Sequence, residues 1–298
     1  MAKAPCFTII TPVYNQGDYI AETIESVLAQ TFTDYEYIVI NDGSTDNTQQ
    51  VLDSYQDKIT IITQENMGQS ATLNKGWQMA KGRYLGYLSA DDIIYPHCLS
   101  EIAAHISDTP KILYPDYDLI SADTSFIRQI KTAPTTTKKL IEELECTPGL
   151  AAFFPASLFK QTGGWRTDLV YIPDYEFWLR LFRAGAHFTR VPQSLGGFRI
   201  HAGSGSVRAI SYERSEEIIA LAQEYGQLAE TRHGYRIARQ NAYLIAARSH
   251  FQSARYLTGL ARWFEACRIG PLRNILRPSK LRFILAGLLR RFVIGLKE

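Results

Sequence analysis

Hydrophobic positions along the first 120 residues alternate between two spacings. Short runs rich in β-branched and aromatic residues predict five strands, at 6–11, 35–42, 58–63, 84–90 and 111–117. Between them, apolar residues recur at helical spacing, which predicts helices at 17–30, 44–55, 70–80 and 96–106. Alternation of strand and helix is typical of βαβ units. We therefore expect an α/β fold with a mainly parallel sheet flanked by helices.

The pattern changes in the second half of the chain. Polar and glycine-rich stretches interrupt the apolar runs after residue 118, and from about residue 206 the spacing is that of long helices. We predict a domain boundary near this point, with the α/β domain over 1–205 and a helical C-terminal region over 206–298.

Length and composition fit a globular protein of 298 residues, of which 46% are hydrophobic and 21% charged. The net charge of +2 provides no global field, so we expect no nucleic-acid partner. Four cysteines lie far apart without metal-binding spacing, which indicates reduced thiols and a cytoplasmic location. The first residues lack the apolar core of a secretory signal, and we expect no transmembrane helix because no apolar run is long enough.

The tail over 272–298 carries seven Lys or Arg residues against one Glu, interleaved with Leu, Ile and Phe. This pattern is typical of a helix lying on an anionic membrane surface, here the inner face of a membrane. The alternative is a helix whose apolar face packs on the α/β domain while its arginines stay in solvent.

Two adjacent acids, Asp91 and Asp92, follow the predicted strand at 84–90. Neighbouring carboxylates repel each other, and burial strengthens the repulsion. A divalent cation would remove it, and one or two carboxylates completed by substrate phosphates are a usual site for Mg²⁺ or Mn²⁺. The alternative is a helix N-terminus that favours acids without binding a metal.

Two other predicted strands also end in candidate ligand contacts. Pro12 is expected to stop the first strand, and Tyr14 could then stack on a flat ring or pack in the core. Asp42 could accept hydrogen bonds from a nucleobase or a ribose, or it could cap the helix that follows. Neither a Walker motif nor G-x-G-x-x-G is present, which argues against a P-loop or a dinucleotide-binding fold.

Three charged residues toward the end of the α/β region complete the candidates. Asp174 opens an amphipathic helix, where it could act as a general base with a raised pKa or simply cap the helix. Arg199 and His201 alternate on a predicted strand and so share a face. An Arg can neutralise a phosphate and a His can ligate a metal, although a lone His is more often structural.

Six ordered motifs over residues 6–206 closely resemble glycosyltransferase family 2, which has the Rossmann-like GT-A fold. They read TIITPVYNQGDYIAETIESVLAQTFTDYEYIVINDGSTDNT, NMGQSATLNKGW, GRYLGYLSADD, GGW, PDYEFWLRL and FRIHAGSGS. The resemblance implies a metal-dependent, inverting transfer of a sugar from a nucleotide-sugar donor, by family habit a UDP-sugar. The acceptor would be a hydroxyl of a glycan or a lipid-linked molecule in cell-surface polysaccharide assembly. A nucleotide-sugar-binding protein without turnover and a nucleotidyltransferase are the competing interpretations.

The resemblance also implies residue roles. Asp174 looks like the catalytic base, Gly164 and Trp165, after Gly163, look like acceptor contacts, and Mn²⁺ or Mg²⁺ would be held by Asp91, Asp92 and His201. Contacts to the donor nucleotide would come from Pro12, Tyr14, Asn15, Asp42, Gly68, Asn74, Ser89, Ala90 and Arg199. The chain departs from the family pattern at Ser89 and Pro173, where the family often has acids.

Overall fold

Residues 4–146, 148–201 and 211–276 are described by a computed structural model, which divides into two compact units. The described part of the first unit contains the chain up to residue 135 together with 148–167 and 180–201. The second unit combines residues 136–146 and 168–179 with the helices from residue 211 onward. The predicted boundary near residue 205 stays a prediction.

The first unit is built on one mixed sheet. Among the described residues its strands are β1 (Phe7–Val13), β2 (Tyr35–Asp42), β3 (Thr60–Gln64), β4 (Tyr84–Tyr87), β5 (Ile93–Ile94), β6 (Lys111–Ser121), β7 (Phe126–Ile130), β8 (Phe153–Pro155) and β9 (His187–Ile200). Their order is β3-β2-β1-β4-β8-β6-β9-β5, with β7 paired to β6. The pairs among β3, β2, β1 and β4 are parallel, as is β6 with β9, whereas β8, β5 and β7 run antiparallel to their neighbours.

The alternating pattern of the sequence is confirmed as an α/β fold. Predicted strands and helices correspond within a few residues to β1–β4, β6 and four helices: α1 (Ile20–Leu28), α2 (Thr48–Asp53), α3 (Gln69–Met79) and α4 (Cys98–Ala104). α5 (Ala156–Thr162) follows β8 directly. Because β1, β2, β3 and β4 are parallel, their carboxyl ends lie at one edge of the sheet, where open α/β sheets bind ligands.

One detail of the first strand was predicted wrongly. Pro12 does not stop β1, which continues to Val13 and pairs with β2 as far as Asn41. The pairing of β1 with β4 extends only to Ile10. Pro12 therefore lies beyond the part of β1 that has a neighbour on both sides, and its missing N–H is tolerated there.

The core of the first unit lies between the sheet and its helices. α1 buries Ile20, Ile24 and Val27 at helical spacing against the apolar face of the strands. α3 approaches β1 closely at Gly76, where a Cβ atom would lie 2.7 Å from Cγ2 of Ile10. A side chain at this position would push the helix away from the central strand.

The second unit is helical. It contains the start of α6 (Pro173–Arg183), then α7 (Tyr212–Tyr225), α8 (Arg232–Gln252), α9 (Tyr256–Ile269) and α10 (Leu272–Ile275), with a π-helical turn at Lys138–Glu142 and a 3₁₀ turn at Gly226–Leu228. α8 packs against both α7 and α9, with Ala238, Ala242 and Ala246 fully buried at a spacing of one turn. These small side chains let the neighbouring helices approach α8 closely.

Two predicted features fall wholly or mostly outside the described residues. The glycine- and serine-rich loop after His201 lies there, as does the basic tail from residue 277 onward. In the described residues, no helix is both long and apolar enough to cross a lipid bilayer.

Candidate active site

The turn that follows β4 is fixed to the first helix. The N–H of Asp92 donates to the carbonyl of Ser89 at 3.1 Å, which closes the turn. The buried hydroxyl of Thr23 in α1 lies 2.9 Å from the carbonyl oxygen of Ala90 and 2.8 Å from that of Asp92. The backbone that carries both acids is therefore tied to α1, which leaves little freedom in the position of the acids.

Arg199 in β9 is the positive group beside the paired acids. Its backbone N–H donates to Oδ1 of Asp92 at 2.8 Å, and its Nε donates to the carbonyl of Asp91 at 2.7 Å. The rest of the buried guanidinium donates to the carbonyl of Ala122 and to Oε2 of Glu22, at 2.8 and 2.7 Å. These partners are all protein groups, and a direct contact of Arg199 with the donor stays a prediction.

The two acids have different surroundings. Asp92 is only 3% exposed, and both its desolvation and the charge of Asp91 raise the pKa of Asp92 well above its usual range. The side chain of Asp91 is 20% exposed, and its Oδ2 lies 3.0 Å from Nε2 of His201. The imidazole ring of His201 packs on Tyr19 with 4.6 Å between ring centroids. Asp91 and His201 thus form the accessible part of this cluster, and Asp92 its buried support.

A divalent cation fits this arrangement only if a bound substrate also coordinates it. Within residues 4–146, 148–201 and 211–276, no three His, Cys, Asp or Glu side chains are grouped to hold a metal. The accessible donors are one carboxylate oxygen of Asp91 and the imidazole nitrogen of His201. Mg²⁺ is commonly bound by one or two carboxylates together with substrate phosphates and water. The residues present fit a cation of that kind.

Asp42 lies at the carboxyl end of β2 and shapes the start of α3. Its Oδ1 accepts the N–H of Met67 and its Oδ2 accepts the N–H of Gly68, both at 2.9 Å. The N–H of Thr48 at the start of α2 donates instead to Asp46, at 2.9 Å, so the following helix is capped without Asp42. Asp42 therefore presents a turn whose Gly68, at φ +83°, has open space above its Cα atom. A role in binding a nucleobase stays a prediction.

The loops after β1 and β2 are tied together. Oδ1 of Asn15 accepts the N–H of Thr45 at 2.7 Å, and the N–H of Asn15 donates to the hydroxyl of Ser44 at 3.0 Å. Tyr14 is 47% exposed, so it lies outside the core and its ring is accessible to a ligand. Stacking by Tyr14 and nucleotide contacts from Pro12 and Asn15 stay predictions.

Asn74 and Gly164 together hold Trp165 in place. The side-chain amide of Asn74 accepts the N–H of Trp165 and donates to its carbonyl, both at 2.7 Å. A Cβ atom at Gly164 would lie 1.9 Å from Oδ1 of Asn74, so this contact requires glycine. The buried indole of Trp165 packs edge-on against Trp77 and Tyr87, and its N–H has no hydrogen-bond acceptor in the part of the chain that the structure describes.

Asp174 belongs to the second unit and lies in the first turn of α6, directly after Pro173. Desolvation raises the pKa of its carboxyl group, against the N–H of Tyr175 and the charge of Arg214, which lower it. The Sγ of Cys146 lies 3.9 Å from Oδ2 of Asp174. A carboxylate with a raised pKa at a helix start has the character that a general base requires.

Glu217 in α7 anchors the segment that leads to Asp174. Its Oε1 accepts the N–H of Val170 at 2.8 Å, and its Oε2 accepts those of Tyr171 and Ile172 at 3.0 and 3.1 Å. Three consecutive backbone donors converge on one carboxylate immediately before α6. The sequence contains no signal for this role, because Glu217 sits in an ordinary helical pattern of charged residues.

The structure thus brings four predicted residues together at one edge of the sheet: Asp91, Asp92, Arg199 and His201. In the first unit, Asp42 ends β2, Asn15 lies in the loop after β1 and Asn74 lies within α3. Asp174 belongs to the second unit. Sequence reasoning missed Thr23 and Glu217, helix residues distant in sequence whose side chains hydrogen-bond to the backbone around Asp91 and just before Asp174. The roles assigned to all these side chains remain predictions.

Comparison with known proteins adds independent information. The sequence profile named Glycosyl transferase family 2 matches residues 8–187. An uncharacterized glycosyltransferase of Rickettsia prowazekii is 33% identical over 219 residues, which are 70% of this chain and 68% of the relative. The chain spans about one third to two thirds of the length of the first curated relatives it matches.

The fold is similar to that of solved glycosyltransferases. The crystal structure of S. aureus TarS 1–349 in complex with UDP-GlcNAc matches with a TM-score of 0.66 and 18% identity, over 97% of this chain and 92% of TarS 1–349. The mannosyltransferase PcManGT from Pyrobaculum calidifontis, in complex with GDP-Man and Mn²⁺, matches with a TM-score of 0.55 and 16% identity, over 97% of this chain and 88% of PcManGT. Since the family profile covers more than half of the sequence, the chain belongs to glycosyltransferase family 2 and has the GT-A fold.

Proposed function

We propose that the chain is an inverting glycosyltransferase that uses a nucleotide-sugar donor, with Mn²⁺ or Mg²⁺ as cofactor. The observation that carries the proposal is the pairing of Asp91 with His201 at 3.0 Å, at the carboxyl end of a parallel strand. Behind this accessible pair, Asp92 and Arg199 are buried and bonded to each other. Such a cluster suits a metal-bound diphosphate better than it suits a simple helix cap.

The proposed cation is held by Asp91 and His201, with Asp92 in support. When bound, it stabilises the charge that develops on the leaving nucleoside diphosphate. We favour a UDP-sugar by family habit, and the complex of TarS with UDP-GlcNAc supports this choice, because TarS has a similar fold. The proposed nucleotide contacts come from the end of β1 and the loop after it, the end of β2, the turn after β4, the start and middle of α3, and Arg199 in β9.

The proposed base is Asp174, which takes the proton from an acceptor hydroxyl. The hydroxyl oxygen then attacks the anomeric carbon from the face opposite the nucleotide, and the configuration inverts in one displacement. The acceptor would be a glycan or a lipid-linked hydroxyl in cell-surface polysaccharide assembly. Gly164 and Trp165 are the proposed acceptor contacts, supported by the indole N–H of Trp165, a buried donor for which the described residues provide no acceptor.

Domain limits and location complete the proposal. We place the catalytic domain over 1–205 and a helical region over 206–298, and we place the protein in the cytoplasm, at the inner face of a membrane through 272–298.

A nucleotidyltransferase and a sugar-nucleotide-binding protein without turnover are the alternatives. The released product separates them, because the first alternative forms pyrophosphate, the second forms neither product, and the proposal requires nucleoside diphosphate.

The test measures nucleoside diphosphate released from a panel of nucleotide sugars with Mn²⁺, with Mg²⁺ and with a chelator. Wild type is compared with Asp91→Ala, and with Asp57→Asn as a matched control at an exposed acid on the same unit. We expect metal-dependent release by wild type and by Asp57→Asn, and none by Asp91→Ala. Release that is unaffected by chelator and by Asp91→Ala would overturn the metal site. Failure of all nucleotide sugars to bind would overturn the enzyme assignment.

A further inference from the structure

Helix α9 has apolar side chains on two faces. One face packs against the rest of the second unit through Gly259, Ala266 and Ile269, which are buried. Four large side chains outside that face are exposed, namely Tyr256, Leu257, Leu260 and Phe264, and we call these four the outer face of α9. Leu257 is 85% exposed and Phe264 is 61% exposed. An amphipathic surface helix normally places polar side chains toward water, so we expect a binding partner to cover this outer face.

The exposed apolar surface extends beyond α9 along the chain. Leu272 and Leu276, in and next to α10, are also largely exposed. Ala266 and Ile269 anchor the preceding helix from within, so the outer side chains are not needed for its packing. The outer face is thus apolar surface that the core does not bury, and exposed apolar surface of this kind marks an interaction site.

Charge is strongly segregated toward the same region. Residues 255–298 contain ten Lys or Arg residues against two acids, whereas residues 1–254 contain 22 basic and 28 acidic residues. Within α9 and its flanks, Arg255, Arg268 and Arg273 are exposed. The overall charge of +2 is therefore the sum of a net negative charge over residues 1–254 and a net positive charge over residues 255–298.

The charge decides which partner suits the outer face. The same surface of a second copy would bring one basic region against another, which disfavours a dimer through this face. A lipid surface rich in anionic headgroups attracts such a region, and each Lys or Arg near it contributes about 1 kcal/mol. Leu and Phe side chains of an interfacial helix enter the boundary between headgroups and acyl chains.

We propose that the outer face of α9 docks on an anionic lipid surface. Leu257, Leu260 and Phe264 enter the acyl boundary, and the arginines around them contact headgroup phosphates. The proposed function places membrane contact at 272–298, and this proposal adds a second, separate contact surface on α9, which stands whether or not the chain transfers a sugar. It places the docking surface on a folded helix within the second unit, upstream of the basic tail.

The experiment measures co-sedimentation of the full chain with vesicles of phosphatidylcholine alone and of phosphatidylcholine mixed with phosphatidylglycerol. We expect binding to the anionic vesicles that weakens as salt is added. The double variant Leu257→Glu/Phe264→Glu should bind them at least about tenfold more weakly, because two apolar anchors become acids. The matched control is Phe126→Glu/Ile127→Glu, which changes two exposed apolar residues of β7 and should bind like wild type.

Several outcomes overturn the proposal. Wild type that ignores anionic vesicles, or a Leu257→Glu/Phe264→Glu variant that binds like wild type, excludes docking through the outer face. If that variant instead converts a dimer into a monomer in light scattering, the occupant is a second copy. If it lowers the melting temperature without changing vesicle binding, another part of the chain covers the face. Equal loss of binding in the β7 control shows a nonspecific effect of added negative charge.

Discussion

Arg199 donates its backbone N–H to Oδ1 of Asp92 at 2.8 Å, and its guanidinium donates to the backbone of the neighbouring acid. One buried arginine therefore provides both the hydrogen bonds that fix the acidic turn and the positive charge that compensates it. Arg199 contacts the buried Asp92 side chain and the backbone of Asp91. It therefore leaves the partly exposed carboxylate of Asp91, next to His201, available for a ligand. Of the two adjacent carboxylates, the buried Asp92 thus has a structural role, and Asp91 is the one positioned to bind a ligand.

Replacing Arg199 by alanine should destabilise the protein by about 3 kcal/mol, since it leaves the buried Asp92 without its positive neighbour. Urea denaturation followed by circular dichroism measures the change. Arg128→Ala is the matched control, because Arg128 is exposed on β7, and it should change stability by less than about 0.5 kcal/mol. Equal effects of the two variants would show that the contacts of Arg199 contribute nothing specific.

Replacing Asp91 by asparagine should raise the metal concentration needed for half-maximal donor hydrolysis at least about tenfold, since a charged oxygen ligand becomes a neutral one. The stability of the fold should change little, because this side chain is partly exposed and lies at the surface of the cluster. Titration of Mn²⁺ at saturating donor measures the shift. An unchanged metal requirement would remove Asp91 from the proposed set of ligands.

The sequence predicted the positions of these residues better than their partners. Strand and helix spacing placed Asp42, Asp91 and Asp174 at element ends, because periodicity and capping are local properties. The bonds from Thr23 to the acidic turn join residues 67 and 69 positions apart, and local spacing does not encode such contacts. For the same reason the sequence suggested Arg199 as a ligand contact, whereas the structure surrounds its guanidinium with protein acceptors.

Replacing Asp174 by asparagine should lower kcat by about 10²–10⁴-fold while donor binding is kept, because the proposed proton acceptor is lost. In wild type, kcat should fall as the pH drops through the raised pKa of Asp174. The raised pKa means that folding disfavours the charged carboxylate, so this group stabilises the fold at low pH and the contribution is lost as the pH rises through the pKa. Asp174→Asn should therefore gain melting temperature relative to wild type at higher pH and lose that gain at low pH.

Those two readouts distinguish a catalytic role from a structural one. A residue that only caps the helix would change stability little on replacement by asparagine, which caps helices about as well as aspartate, and would leave the pH profile of kcat unchanged. Thermal melts at several pH values, together with initial rates for the same samples, measure both properties. Activity that persists in Asp174→Asn would exclude the residue as the base.

Replacing Glu217 by glutamine tests whether α7 positions the proposed base. Glutamine keeps one acceptor oxygen for the three N–H groups of Val170, Tyr171 and Ile172, and its amide nitrogen repels the others. We expect a stability loss of about 1–3 kcal/mol from unsatisfied donors. Under conditions where the variant is fully folded, kcat should fall several-fold with the KM for donor unchanged, because Asp174 follows the anchored segment directly. Glu224→Gln, at an exposed position of the same helix, is the control and should match wild type in both measurements. A stability loss without any change in kcat would show that Glu217 holds the fold but leaves the base in place.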